Sequence, residues 1–438
     1  MNPAEATIAA SNAPLPTRTI DADWLRSLAL EAGAADAGIV EVSRAGLDDQ
    51  RDDLLSFFPW AQTLLSYVVR TNREPLRSTA RSLSNMEFHA AGHDVNEIGR
   101  KIVSTLESRG IRAANPAMGF PMEMDRFPGK TWVISHKPVA VAAGLGRMGI
   151  HRNVIHPKFG NFILLGTIIV GRDVTQTDTE IDFDPCLSCK LCVAACPVGA
   201  IGSDGHFDFS ACYTHNYREF MGGFTDFVEE IADSKDRQDL RKRVSDSESA
   251  SWWQSLSFGA NYKAAYCIGV CPAGSEVIPP FQQDRKGFLD EVVRPLQRKE
   301  ETLYVLAGSD AEKHAEKRFP HKITKQVGNT LRPGSIQGFL NGLPLVFQRG
   351  AAGDMDVTYH FSFTGSERRE ATIVIRDSEI SIEQGHAGVA DLSVRADAAT
   401  WIGFLRGEKS LVAALLTRKI RLKGSPKWLL AFGRCFPK

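Results

Sequence analysis

Cys186, Cys189, Cys192 and Cys196, followed at once by Pro197, are spaced C-x2-C-x2-C-x3-C-P. That spacing suits a cubane [4Fe–4S] cluster. Two-residue gaps let three thiolates wrap one cube in a tight turn, the fourth thiol is aimed at a second cluster, and the proline ends the loop. Four close cysteines could instead hold zinc, but structural zinc sites usually come as two separated pairs. The spacing therefore predicts iron–sulfur. A second, incomplete run, Cys267-Ile-Gly-Val-Cys271-Pro272, follows later, with Cys212 between the two. Of eight cysteines, seven fall between positions 186 and 271, clustered as metal ligands rather than scattered as a disulfide framework. Reduced thiols point to the cytoplasm. The first 18 residues lack the basic, apolar or twin-arginine features of an export signal.

The rest of the chain must position these thiols. Its 438 residues, 43% hydrophobic and 24% charged, give room for two or three domains with substantial cores. Lys plus Arg equals Asp plus Glu, at 52 each, so no global field favours nucleic acid or a membrane surface, and no nucleic-acid partner is expected. The most apolar run, residues 162–170, is less than half a membrane span and reads as a buried strand.

Residues 1–20 read as disordered. A first helix from Asp21, closed by Gly33, precedes strands at 37–42 and 63–69. Between Asn85 and Arg109 apolar residues recur at three and four, which predicts a long helix capped by Asn85 and stopped by Gly110. Strands at 132–134 and 162–170 complete an alternating α/β domain over 21–175. The cluster domain spans 176–285, with a helix over 207–230 and an exposed polar insertion over 233–251. Residues 286–333 read as a linker helix and a solvated surface segment, basic over 313–325. From 334 to 438, short strands at 357–363, 371–375, 379–382 and 392–395, then helices at 398–405 and 411–418, give a separate α+β domain. From residue 405 on, nine Lys or Arg face one acid, Glu408, most simply a solvated face.

Gly144, Gly146 and Gly149 spell G-x-G-x-x-G ahead of the cysteines. A dinucleotide site needs a long helix after the loop and an acid about 20 residues on; the early Pro157 and the missing acid argue against one. The glycines then mark a tight loop needing positive φ, or a place where a large flat cofactor lies against bare backbone.

Residues 138–149, the His156-Pro-Lys-Phe-Gly160 segment and the cysteine pattern together resemble the corrinoid-dependent iron–sulfur reductases, the group that contains epoxyqueuosine reductase and the reductive dehalogenases. The resemblance covers roughly residues 20–285. It implies a nitroreductase-like α/β domain holding a base-off cobalamin, with Gly144, Gly146, Gly149, His151, His156 and Gly160 as the binding positions, and a ferredoxin-like domain with two iron–sulfur clusters. Carried over residue by residue, Cys186, Cys189 and Cys192 share one cluster with Cys271, while Cys196, Cys212 and Cys267 bind the other. The group's second motif is C-x2-C-x3-C-P, and its first position here is Ala264. A His or carboxylate, a water, Cys435, or a three-iron cluster would account for the missing thiolate. The group's acidic proton donor falls at Lys130 or His136 and is absent; His136, Lys137 and Tyr213 are candidate replacements. Residues 390–401 and 411–420 resemble a sterol-carrier-protein-2 domain, whose family encloses an apolar tunnel for lipid-like ligands. The leading expectation is a reductase that takes electrons from a ferredoxin- or flavodoxin-type donor and reduces a small hydrophobic substrate through the corrinoid. The alternative is a ferredoxin-type electron-transfer protein serving a partner enzyme, with no corrinoid of its own.

Overall fold

The computed structural model describes residues 19–186 and 188–437, so the disorder expected over 1–18 lies outside the described residues. Thr19 and Ile20 were expected to belong to that segment, and here the structure corrects it. They pair in parallel with Asp173 and Val174, and Ile20 is buried. Burial of that one side chain gives the short strand a reason to form.

Helix α1 (Ala22–Ala32) begins where Asp21 accepts a hydrogen bond from the Trp24 N–H (2.7 Å) and ends at Gly33, whose φ of 119° suits glycine. Strands β1 (Asp36–Glu41), β2 (Thr63–Arg70), β3 (Ala113–Ala114) and β4 (Ile163–Val170) make an antiparallel sheet in the order β1-β2-β4-β3. Alternation along the strands sends Ile39, Leu65 and Ile168 to one face, under α1 and α2 (Arg81–Ser108). Val40, Leu64 and Ile169 go to the other face, under α3 (His136–Ala142). Helix α2 starts four residues before Asn85, which is no cap. Its amide exchanges hydrogen bonds with the backbone of Tyr262 (2.8 and 3.1 Å) and so ties this layer to the cysteine-bearing one. Residues 132–134 form no strand, since the Ser135 N–H that follows them goes to the Gln50 side chain (2.7 Å).

The cysteine-bearing layer is a set of short helices: α4 (Leu191–Ala195), α5 (Phe209–Asn216), α6 (Gly222–Asp233), α7 (Asp246–Phe258) and α8 (Tyr266–Gly269). The single helix expected over 207–230 breaks between α5 and α6. Arg218 turns inward to pair with buried Asp226, and Met221 adopts a φ of 48°. Residues 233–251, read as an exposed insertion, are mostly helical and anchored at Trp252. Its indole N–H donates to the Arg218 carbonyl (2.9 Å) and its ring stacks on Phe227. Both segments are largely exposed, as expected, but two lysines of the basic segment 313–325 turn inward. Strands β5 (Thr302–Val305) and β6 (Ile323–Gln326) pair in parallel around α9 (Asp310–Arg318). Lys322 lies 5% exposed with its ammonium 2.6 Å from Glu301, and Lys325 sits 2.8 Å from Glu248. Internal carboxylates neutralise these two lysines, while Lys313, Lys317 and Arg318 are exposed.

The C-terminal layer opens with α10 (Ile336–Val346) and continues as β7 (Val357–Thr364), β8 (Arg369–Arg376), β9 (Glu379–Gln384), β10 (Leu392–Asp397), α11 (Ala398–Leu405), α12 (Leu411–Leu416), β11 (Ile420–Gly424) and α13 (Lys427–Arg434). Its sheet runs β9-β8-β7-β10-β11. Val357, Tyr359, Phe361 and Phe363 face the core with Trp401 and Phe432. Part of the basic tail is thus a sheet-edge strand: Ile420 is buried while Arg421 and Lys423 are exposed. No helix of the described residues is long and apolar enough to cross a membrane.

Candidate metal centre

The loop that carries Cys186, Cys189 and Cys192 is bent by two non-glycine residues in the left-handed region, Ser188 and Lys190, each with φ of 53°. That bend turns Cys189 back on the Cys186 carbonyl (3.1 Å) and opens α4 with Cys192 facing inward. Cys271, about eighty residues later in the chain, borders the same hollow as these three. The hollow encloses about 360 Å3, its open mouth included, and Ile150, Ile155 and Ala273 complete its apolar wall. Among the described residues no three or more His, Cys, Asp or Glu are drawn in around a single-ion site. Zinc would need its ligands within about 2.3 Å of one ion; thiols spread around a hollow suit a cube.

What brings Cys271 there is a second turn. His156 Nδ1 accepts the N–H groups of Lys158 (3.0 Å) and Phe159 (3.3 Å), and its Nε2 lies 2.9 Å from Asp36. That knot ends at Gly160, with φ of 64°. A methyl group on Gly160 would lie 1.9 Å from the Ala273 carbonyl oxygen. The 272–276 segment presses directly on this turn, with Ser275 N–H on the Pro157 carbonyl (2.8 Å) and Glu276 N–H on that of Lys158 (3.0 Å). The hydrogen bond from His156 holds the Asp36 carboxyl below its usual range.

Cys196, Cys212 and Cys267 form the second set. Each lies in the same packed cluster as Ala264, and the thiols of Cys212 and Cys267 feel Cys196 and the Lys137 ammonium as charged neighbours. The Cys196 sulfur accepts the Ala200 N–H at 3.3 Å. Burial pushes the thiols of Cys192, Cys196 and Cys212 well up, and those of Cys267 and Cys271 to about 12. Left alone they would all stay protonated. A bound cluster supplies the positive charge that makes buried thiolates tenable, as coordination deprotonates a thiol outright. The donor set therefore fits iron–sulfur.

Arg77 gives no signal in the sequence. Its Nε donates to the Gly269 carbonyl (3.3 Å), its guanidinium lies over the rings of Phe162 and Phe288, and Cys271 is among its charged neighbours. One guanidinium nitrogen is buried without a partner. Glu74 lies 3.8 Å from the guanidinium, and a cluster ligated by Cys271 would add negative charge beside it.

The other predicted positions are dispersed. A methyl on Gly144 would lie 2.6 Å from the Thr179 carbonyl oxygen, and one on Gly146 2.4 Å from that of Ile155. A methyl on Gly149 would meet the His151 ring and Ile155 at 2.8 Å. Gly144 alone has the positive φ (73°) of a tight loop; at all three positions the chain's own atoms stand where a side chain would go. His151 lines the cysteine hollow. Its Nδ1 accepts from Asn153 N–H (3.2 Å) and its Nε2 faces the Asn161 side chain (3.1 Å), while burial drives its pKa down to about 4 and keeps it neutral. His136 is a core histidine: both ring nitrogens are engaged, with Thr167 Oγ1 (2.9 Å) and the Ala117 carbonyl (3.0 Å), and burial lowers its pKa. The Tyr213 hydroxyl accepts from Gly222 N–H (2.9 Å), and burial pushes its pKa up to about 12. Lys137 acts on the second set of thiols through its charge. Its ammonium donates to the Arg152 carbonyl (2.7 Å) and Asn153 Oδ1 (2.9 Å), and the surrounding protein lowers its pKa against the pull of Cys267 and Cys212.

Residues 179–202 match the family model of the 4Fe-4S binding domain. The chain carries that domain. An epoxyqueuosine reductase of Gloeobacter violaceus is 26% identical over 172 residues, 39% of this chain and 50% of that protein. One of Staphylococcus aureus is 35% identical over 121 residues, 28% of this chain and 30% of that protein. Epoxyqueuosine reductases are thus homologues of this chain, which spans half their length or less in these matches. Among solved structures, an epoxyqueuosine reductase with an epoxyqueuosine-modified tRNA-Tyr stem loop aligns with 44% of this chain and 56% of its own, at 18% identity and a TM-score of 0.33. A reductive dehalogenase described with B12-dependent dehalogenation aligns with 57% of this chain and 37% of its own, at 15% identity and a TM-score of 0.38. The RNA stem loop belongs to the first of these solved structures.

Proposed function

We propose that this chain is an iron–sulfur oxidoreductase of the corrinoid-dependent kind, holding two clusters in electronic contact. The observation that carries the reading is the meeting of Cys186, Cys189, Cys192 and Cys271 at one hollow, with Cys196, Cys212 and Cys267 together in the packing beyond it. Cys192 and Cys196 lie on the two ends of one short helix, so the two sets share a single rigid support. Electrons from a ferredoxin- or flavodoxin-type donor enter through the three-thiol set, beside Lys137, and pass to the four-thiol set, beside Arg77. Both cations offset charge that arrives with each electron. The protein's part is to hold the clusters and keep water from them.

A corrinoid, when bound, would supply low-potential cobalt for the reduction itself. At Gly144, Gly146 and Gly160, three of the six positions expected to hold it, an added methyl would meet the carbonyl oxygens of Thr179, Ile155 and Ala273. That observation favours a second reading, an electron-transfer module that hands electrons to a partner enzyme. Titrating the anaerobically purified full chain with cobalamin separates the two. Tight binding with a shifted visible spectrum supports the reductase, and epoxyqueuosine on a tRNA stem loop is then the first substrate to assay. Loaded clusters with no corrinoid affinity leave the module.

A further inference from the structure

We infer that the cluster held by Cys196, Cys212 and Cys267 has only three protein ligands, so that its fourth iron is exchangeable and the cluster shuttles between four-iron and three-iron forms. The inference rests on the iron–sulfur reading above.

Position 264 is where a fourth thiolate would stand, and it carries a methyl group. Its backbone is pinned in place: the Ala264 N–H donates to Asn216 Oδ1 (2.8 Å) and the Lys263 N–H to the Asn216 carbonyl (3.1 Å). Asn216 ends the helix that bears Cys212, and Ala264 packs in the same cluster as Cys212 and Cys267. The site geometry for a fourth ligand is therefore present while the ligand is not.

Cys435, His136, His151 and Asp208, groups that could substitute, are each committed elsewhere, and His314, whose Nε2 is buried without a partner, stands at the Cys196 backbone. Cys435 is buried in the C-terminal core, its sulfur 3.8 Å from Met355 Sδ and 3.5 Å from the Ala431 carbonyl. His136 spends both nitrogens on Thr167 and Ala117. His151 lines the other hollow and is held by Asn153 and Asn161. Asp208, the carboxylate that Cys212 feels, caps its own helix through the Ala211 N–H (2.9 Å). What faces the thiols instead is Lys137, whose ammonium is bound to Arg152 and Asn153. A cation there neutralises sulfide and thiolate charge without ligating iron, which leaves the fourth corner to water or a small exogenous donor.

The conversion balances as [4Fe–4S]2+ giving [3Fe–4S]+, one Fe2+ and one electron, the electron going to an added oxidant such as ferricyanide. No sulfide or thiolate is lost.

Anaerobically reconstituted full-length protein, oxidised with one equivalent of ferricyanide and desalted, should retain about seven iron atoms rather than about eight. It should also show the EPR signal of an oxidised three-iron cluster, erased by ferrous ion plus dithionite. Ala264→Cys should keep about eight irons and lose that signal. Cys435→Ala should behave as the parent does. The inference is overturned if the parent keeps its full iron without a three-iron signal, if Ala264→Cys converts as readily as the parent, or if Cys435→Ala alone alters iron content. Protein that takes up no iron and sulfide at all overturns the iron–sulfur reading as well, so the two failures are distinct.

Discussion

Gly160→Ala tests how the four-thiol site is assembled. The new methyl would lie 1.9 Å from the Ala273 carbonyl oxygen, whereas real contacts stay at 3.0 Å or more, so the 272–276 segment must retreat by at least about 1.1 Å. Two costs follow: about 1–2 kcal/mol for an L-residue at φ of 64°, and about 1–3 kcal/mol for forcing atoms into a packed contact. Gly110 separates them. It has φ of 69° and nothing within 4 Å of a built methyl, so Gly110→Ala carries the backbone cost alone. Reconstituted Gly160→Ala should therefore lose on the order of 2–5 kcal/mol of stability and hold its four-thiol cluster poorly, because Cys271 moves with Ala273. The assay is iron and sulfide per chain, the EPR of the reduced four-iron cluster, and urea unfolding, each beside Gly110→Ala. Equal stability and full iron in both variants would refute the claim that Gly160 exists to seat the Cys271 turn.

Arg77→Met should lower the midpoint potential of the four-thiol cluster, since the guanidinium favours the more negative, reduced form. A unit charge at interior separations is worth about 1–3 kcal/mol at an effective dielectric near 20, or on the order of 50–130 mV for one electron; an EPR-monitored titration with no shift sinks the assignment. Lys322→Met removes the ammonium 2.6 Å from Glu301 in a nearly solvent-free site, leaving that carboxylate Lys299 (3.7 Å) and the Tyr266 hydroxyl (2.7 Å), and should cost about 1.5–3 kcal/mol. Adding Glu301→Gln should recover part of that by urea unfolding. His215 is buried at 1% exposure, and burial drives its pKa down to about 4 from 6.5. The unfolded chain binds the proton first, so this group costs stability as pH falls from about 6.5 toward 4 and nothing above. Over that window the parent should lose on the order of 3 kcal/mol more than His215→Gln; parallel stability curves for the two proteins would show the histidine to be already protonated in the fold.

The cysteine spacing and the C-terminal strands are legible because both signals are short-range. Ligands three residues apart must wrap one object, and Val357, Tyr359, Phe361 and Phe363 alternate in the sequence as they do in the sheet. The edge strand Ile420–Gly424 is hidden by its own outward face, since Arg421 and Lys423 make it read as a charged tail. Lys322 and Lys325 mislead for a related reason: their partners Glu301 and Glu248 are far away in the chain, so composition reports the cations and not the pairing. The glycines are the subtler case. A missing side chain records only that something comes close, and in sequence a cofactor and a neighbouring carbonyl leave the same mark. Thr179, Ile155 and Ala273 are what come close here. Residues 144–160 therefore serve the clusters whatever else binds, because they are the surface on which the Cys271 turn and the 179–181 segment are set. Their presence marks the cluster scaffold, and only a binding measurement speaks to the corrinoid.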